Sequence, residues 1–223
     1  VNQTFNANHL QFLLQGAGWT LLLSLIAFAG GGLLGFIVAM CRISPIKGLR
    51  WLSLGYVQLV QGTPLLILMF LSYFGLSILG FTLPSIVAAG ISMTIYVSAY
   101  IGEIWRGCIQ AVPRTQWEAA ECLALSKVQR MALVILPQAL RIATPPTVGF
   151  MVQIVKNTSL ASVVGFIELA RAGQVVNNSL FEPFLVYMLV AGLYFLLCFP
   201  LSWWSRLLER RLLVTHRIEV AAA

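Results

Sequence analysis

The chain has 223 residues, 59% of them hydrophobic and only 9% charged, with a mean hydropathy of +0.89. Those values exclude an ordinary water-soluble domain, in which about a quarter of residues are charged, and point to a membrane protein. The net charge of +7 suits either a nucleic acid or an anionic lipid surface, and its distribution along the chain favours lipid.

No basic segment precedes the first apolar run, so no removable leader is expected. Cys41, Cys108, Cys122 and Cys198 form no close pair and are expected to be reduced. His9 and His216 stand near opposite ends, so no metal site is expected. Residues 1–18 carry no Lys, Arg, Asp or Glu and read as a short outer arm at the membrane interface. Residues 18–41 are apolar and long enough to cross a bilayer. Gly30, Gly32 and Gly35 spell a dinucleotide-type GxGxxG, but no strand precedes them, and Gly31-x-x-x-Gly35 reads better as a helix-packing face.

After a loop with Arg42, Lys47 and Arg50, the run 52–79 is too long for one straight crossing. It is interrupted at Gln61-Gly62-Thr63-Pro64, where proline removes a donor and a kink is expected. Carbonyls freed there must be buried in protein or face a water-filled path. A plain kink and a path lined by Thr63 and Pro64 fit equally well. Residues 80–83 form an outer turn, and 84–106 a third span containing Glu103. A Glu inside a span costs about 2.5–3.5 kcal/mol on insertion scales. It therefore faces a cavity or pairs with Arg106 on the same helix face, and pairing is the favoured reading.

The stretch from Pro113 to Pro137 does not resemble lipid-facing sequence. Thr115-x-x-Glu118 is a capping box, and Ser126-x-x-Gln129 repeats the signal. Two short helices bent at Leu125-Ser126 are expected to project from the membrane, with the first fitting a groove on a soluble partner. Pro137 suits the first turn of a fourth span, 137–157, which the doubled Pro145-Pro146 is expected to unwind near mid-membrane. Beyond it, Gln153, Lys156 and Asn157 offer hydrogen-bonding groups and a carboxylate partner fit for an amino-acid head group. The alternative is a polar loop stitched by side-chain-to-backbone bonds. Residues 165–184, with Glu168, Arg171 and Glu182, read as an outer helix along the membrane and a docking surface for a soluble partner. A last span, 183–204, ends at Trp203 and Trp204, followed by Arg206, Arg210, Arg211 and Arg217.

With five spans, Lys156 and Arg171 are the only ones of the 14 basic residues placed outside. The positive-inside rule then sets the N-terminus out, the C-terminus in and the 113–136 hairpin in the cytoplasm. The basic excess is accounted for, leaving no nucleic-acid site. The chain holds no G-x-x-x-x-G-K-[ST], so no ATP hydrolysis and no catalytic residue of its own are expected.

Four separated motifs carry a family resemblance. Glu118-Ala119-Ala120, Ala124 and Leu136-Pro137-Gln138-Ala139 resemble the EAA loop of ABC importer permeases. Gly62-Thr63-Pro64-Leu65-Leu66 with Tyr73-Phe74-Gly75, Ser98-Ala99-Tyr100-x-x-Glu103-Ile104-x-Arg106-Gly107, and Lys156-Asn157-Thr158-Ser159-Leu160 with Gly165 resemble elements of the branch that takes up polar amino acids such as histidine, glutamine, arginine and glutamate. The resemblance covers residues 16–212. It implies a single all-α integral membrane domain, 1–223, of the type I ABC importer fold, in a bacterial inner membrane. It implies an ABC ATPase dimer on the cytoplasmic side, holding the ATP and Mg. It also implies a second permease copy or paralogue, and a periplasmic binding protein that delivers the amino acid. Coupling to the ATPase falls on Thr115, Trp117, Glu118, Ala119, Ala120, Ala124 and Leu125. The substrate pathway falls on Thr63, Pro64, Glu103, Gln153, Lys156 and Asn157. The chain departs from the family at Ala124, usually Gly, where a stiffer bend is expected, and at Gln61, often Arg. A different class, a stand-alone secondary carrier or channel, would use Glu103 and Glu168 as ion or proton sites and need no ATPase.

Overall fold

The computed structural model describes residues 4–221, with side chains described through residue 210. Arg211, His216 and Arg217 therefore lie outside the described side chains. Eight helices follow one another: α1 Ala7–Ile43, α2 Lys47–Gln61, α3 Leu65–Ile78, α4 Ser85–Gln110, α5 Arg114–Cys122, α6 Lys127–Val164, α7 Leu169–Leu180 and α8 Pro183–Ala221. Among the described residues α1, α4, α6 and α8 are long and apolar enough to cross a membrane, and the bent pair α2 and α3 makes a fifth candidate.

The expected outer arm is not separate from the first span. Asn6 caps α1, its side chain accepting from the N–H groups of Asn8 and His9 at 3.1 Å, while the Asn6 N–H donates to His9 Nδ1 at 3.3 Å. From that cap one helix of 37 residues runs about 55 Å, well beyond a hydrocarbon core of about 30 Å. Gly16 does not interrupt it. A Cβ there would sit 2.8 Å from Ala172 Cβ, so the glycine lets α7 approach closely.

The core of the bundle is the pairing of α1 with α4. A Cβ on Gly35 would lie 3.0 Å from the Ile101 side chain, and one on Gly102 2.8 Å from Val38. Gly31 meets Val97 in the same way. The small-residue face read from Gly31 and Gly35 is therefore the seam along which two backbones come together. Leu23, Met69, Met93, Val97, Ile101 and Ile154 fill the space between α1, α3, α4 and α6.

The break at Gln61–Pro64 is deeper than a kink: α2 and α3 meet at 99°. Gly62 N–H closes the last turn of α2 on Gln58 O at 2.9 Å, and Thr63 Oγ1 donates to Leu59 O at 2.7 Å. Pro64 then starts α3. Gln61 Nε2 reaches out of the break and donates to Ala99 O of α4 at 3.4 Å.

Helix α6 is continuous where the sequence suggested two interruptions. Residues Arg130–Ile135 wind as π-helix and lead directly into the turn that holds Pro137, so the second arm of the hairpin and the span are one continuous helix. Pro145 and Pro146 lie inside the helix and do not unwind it. Proline's fixed φ is itself helical, and what it removes is a donor. Hydroxyls bind two carbonyls of the same stretch: Thr144 Oγ1 donates to Leu140 O at 2.7 Å, and Ser205 Oγ of α8 donates to Pro145 O at 2.9 Å. The Lys156–Leu160 stretch is helical too, tightening to a 3₁₀ turn over Thr158–Val164 that ends at Gly165, φ +82°.

Helix α7 is tucked in. Its Leu169, Ala172 and Val176 pack with Leu13 of α1 and Val186 and Val190 of α8.

Candidate functional site

The hairpin of α5 and the start of α6 is built from two different helix starts. Pro113, ψ 138°, turns the chain into α5 with no side-chain cap. Thr115 thereby falls inside the first turn, and the expected Thr115–Glu118 box does not form. Glu118 instead lies 3.7 Å from Arg114, both exposed. The second box forms as read: Gln129 N–H donates to Ser126 Oγ at 3.3 Å and Ser126 N–H to Gln129 Oε1 at 3.0 Å.

Between the two helices the bend centres on Ala124, just before the expected Leu125-Ser126. The Leu125 N–H donates to Ala120 O at 3.3 Å and the Ala124 N–H to Glu121 O at 2.9 Å. That pair of bonds is a Schellman motif, whose C′ residue must be left-handed. Ala124 is, with φ +55°. Helix compatibility is therefore irrelevant at this position, and the expected stiffer bend is instead a strained one. Glycine has no Cβ to clash there.

One side of the hairpin faces inward. Ala120 is buried and Trp117 packs beside Ile109, Val112, Ile135 and Ala139. Arg130 ties the two arms: its guanidinium sits 5.9 Å from the Trp117 ring centre, and Nη1 lies 3.1 Å from Glu121 Oε2. Gln138 Nε2 donates to Gln116 Oε1 at 3.2 Å. The other side is open: Thr115, Glu118, Ala119, Cys122 and Ala124 are exposed. Leu123 is 74% and Val128 77% exposed, an apolar tip with no cover among the described residues. Of the seven residues read as coupling groups, Trp117 and Ala120 hold the hairpin and Leu125 is half-buried, while the other four face out.

Glu103 is held by two guanidinium groups. Arg106 Nε lies 2.8 Å from one oxygen and Arg42 Nε 2.6 Å from the other. The favoured pairing with Arg106 is present. Arg42, 61 positions earlier, is a partner that no local spacing could signal.

A polar cleft of about 340 Å³ opens between α6 and α8, lined by Gly149, Val152, Gln153, Lys156, Ser202, Ser205 and Arg206. Gln153 and Lys156 come together here, and Asn157 adjoins them, its Oδ1 accepting from Gln153 Nε2 at 3.2 Å. Thr63, Pro64 and Glu103 are outside its lining. From sequence alone Arg206 reads only as a basic residue after the Trp203–Trp204 interface marker, and Ser202 and Ser205 are not singled out; the register that sets all three against α6 is a product of tertiary packing.

Glu168 is fully buried. Its oxygens accept from Ala170 N–H at 2.9 Å, Arg171 N–H at 2.8 Å and Tyr194 OH at 2.7 Å. Thr20 Oγ1 accepts from the Leu169 N–H at 3.2 Å. This carboxylate caps α7 and pins it to α8, with α1 alongside, and all its close partners are structural.

Apolar crossings, a sharply broken fifth candidate, a polar cleft and an exposed hairpin define a helical membrane protein of the solute-transport class. The chain belongs to the family of binding-protein-dependent transport system inner membrane components, whose model matches residues 31–214. It is thus a permease subunit of an ABC importer. It is 38% identical over 212 residues to a probable glutamine ABC transporter permease, GlnM of Bacillus subtilis, covering 95% of this chain and 98% of that one. The L-cystine transport system permease TcyB of the same organism is 35% identical over 198 residues, covering 88% of this chain and 85% of the relative. A solved amino acid ABC transporter with histidines superposes with a TM-score of 0.86 at 31% identity, over 94% of this chain and 100% of that one. The inward-facing MetNI methionine ABC transporter, at 18% identity and TM-score 0.77 over 92% and 99%, shares the fold.

Proposed function

We propose that this chain forms half of the membrane pathway of an importer for a polar amino acid. It pairs with a second permease copy or paralogue in a bacterial inner membrane, N-terminus out and C-terminus in. A periplasmic binding protein delivers the substrate, and an ABC ATPase dimer, which binds the ATP and Mg, grips the hairpin from the cytoplasm. The chain does no chemistry itself. The observation that carries the reading is the hairpin: an open face with Glu118, Leu123 and Val128, joined to a span by an unbroken helix. Movement of α5 by the ATPase is passed through Arg130 and the Trp117 contacts into α6, and so into the cleft wall. The names of the relatives support the amino-acid assignment.

The test is reconstitution with the ATPase and binding protein in proteoliposomes. Uptake of a radiolabelled amino acid is expected only with ATP, and Glu118→Arg with Leu123→Asp lowers it at least ten-fold while helicity is retained. Uptake by the chain alone, driven by an ion gradient, would instead establish the secondary-carrier reading.

A further inference from the structure

We infer that one face of α8 is a docking site for an anionic phospholipid in the leaflet at its C-terminal end. Arg206 and Arg210 hold the phosphate, and Leu196, Phe199 and Trp203 take the acyl chains. The inference needs only that α8 crosses the bilayer, and it does not depend on the substrate or on the importer reading.

The sequence sets these residues on one line. At 3.6 residues per turn, positions 196, 199, 203, 206, 207 and 210 fall within about 60° of the Trp203 direction. Leu196, Phe199, Trp203, Arg206 and Arg210 are all exposed, whereas Tyr194 and Cys198, round the helix, pack against α6. Trp203, Arg206, Leu207 and Arg210 line a groove of about 180 Å³.

Depth decides the ligand. From Pro183, where α8 begins, to Trp203 the helix rises about 30 Å, the thickness of a hydrocarbon core. Leu196 and Phe199 then lie about 6–11 Å inside that core, and Arg206 and Arg210 about 5–11 Å beyond it, among the headgroups. Trp203 stands at the boundary, where an indole is favoured. A soluble anion can use the two guanidinium groups but not the apolar half of the line, and a soluble protein does not reach that half. A second copy docked on the same face by a two-fold axis would set Arg206 and Arg210 against their own kind.

Charge points the same way. Arg42 and Arg106 are held by Glu103, Arg114 by Glu118 and Arg130 by Glu121. Arg206 and Arg210 form no ion pair among the described residues, and Glu209 stands about 100° round the helix from Arg210. Arg206, Arg210, Arg211 and Arg217 follow the span closely, the clustering that anionic headgroups recognise. A guanidinium binds phosphate through paired hydrogen bonds.

The permease–ATPase complex is placed in nanodiscs of phosphatidylcholine doped with a phosphatidylglycerol that carries a photoactivatable group on its acyl chain, and adducts are mapped by mass spectrometry. Adducts are expected on residues 196–203, at least five-fold more than from a phosphatidylcholine bearing the same group. Arg206→Gln with Arg210→Gln removes that preference, and Arg206→Lys with Arg210→Lys keeps most of it. Lys47→Gln with Arg50→Gln, the same loss of charge on α2, leaves it unchanged, and inorganic phosphate in excess does not compete. Equal labelling by the two lipids overturns the inference, as does a preference that survives the loss of both arginines or is abolished by inorganic phosphate. So does a disulfide between two permease copies through Phe199→Cys, in a chain whose own cysteines are replaced by serine, because the face then belongs to the second copy.

Discussion

Replacing Ala124 with glycine is expected to stabilise the hairpin. The residue sits at φ +55°, where an L-residue loses about 1–2 kcal/mol to the contact between its Cβ and the following carbonyl. Glycine removes that cost but enlarges the unfolded ensemble, which takes back about 0.4–1 kcal/mol. The net gain is about 0.5–1 kcal/mol, or roughly a two- to five-fold smaller population of the opened hairpin at 0.59 kcal/mol per RT. Because the change is local, hydrogen exchange is the assay. The reporters are the amides of Ala124 and Leu125, bonded to Glu121 O at 2.9 Å and Ala120 O at 3.3 Å. Both should exchange about two to five times more slowly in Ala124→Gly (residue 124 then being the glycine amide, referenced to its own intrinsic rate). Ala124→Val, with a branched Cβ in the same conformation, should speed exchange at Leu125 at least ten-fold. Unchanged exchange in both variants would mean that residue 124 is not left-handed, and the Schellman geometry would be wrong.

Three further pairs of substitutions probe the bundle. Gly102→Ala drives a Cβ to 2.8 Å from Val38 and should destabilise by about 1–3 kcal/mol through overpacking. Gly48→Ala, which meets nothing within 4 Å, is the control, and thermal unfolding in detergent is the readout. Tyr194→Phe removes a 2.7 Å bond to a buried carboxylate and should cost about 1.5–3 kcal/mol; Glu168→Leu, which strands two N–H groups and the phenol, should cost more in the same melt. Arg42→Ala and Glu103→Ala should be non-additive by about 1 kcal/mol in a double-mutant cycle, because the pair joins α1 to α4 within a contact network. Additivity would show that the 2.6 Å pair contributes nothing.

What the sequence conveyed most plainly was local. The Gly62–Pro64 break, the Ser126–Gln129 box and the Gly31–Gly35 face each depend on residues within a turn of one another, and each is present. The errors arose where neighbours several elements away decide. Pro145-Pro146 reads as a break by local rules, yet α6 stays helical where it packs against α4 and α8. Thr115 reads as a cap until Pro113 starts the helix before it. The outer arm reads as separate on its lack of charge, whereas α1 runs unbroken through Gly16, which is a contact with α7. Glu168 looks like a solvent-facing charge because its phenol partner lies 26 residues on. For the candidate site, Gln153 and Lys156 were legible as chemistry, whereas the α8 half of the cleft depended on helix register.

Of the four cysteines, Cys122 is the exposed one, and it stands on the open side of α5. Its reaction with a membrane-impermeant maleimide, in right-side-out and inverted vesicles, tests the central claim most directly. The account predicts labelling only in inverted vesicles and at least ten-fold protection when the ATPase is bound. Labelling from the outside, or labelling from the inside that the ATPase does not slow, would contradict it.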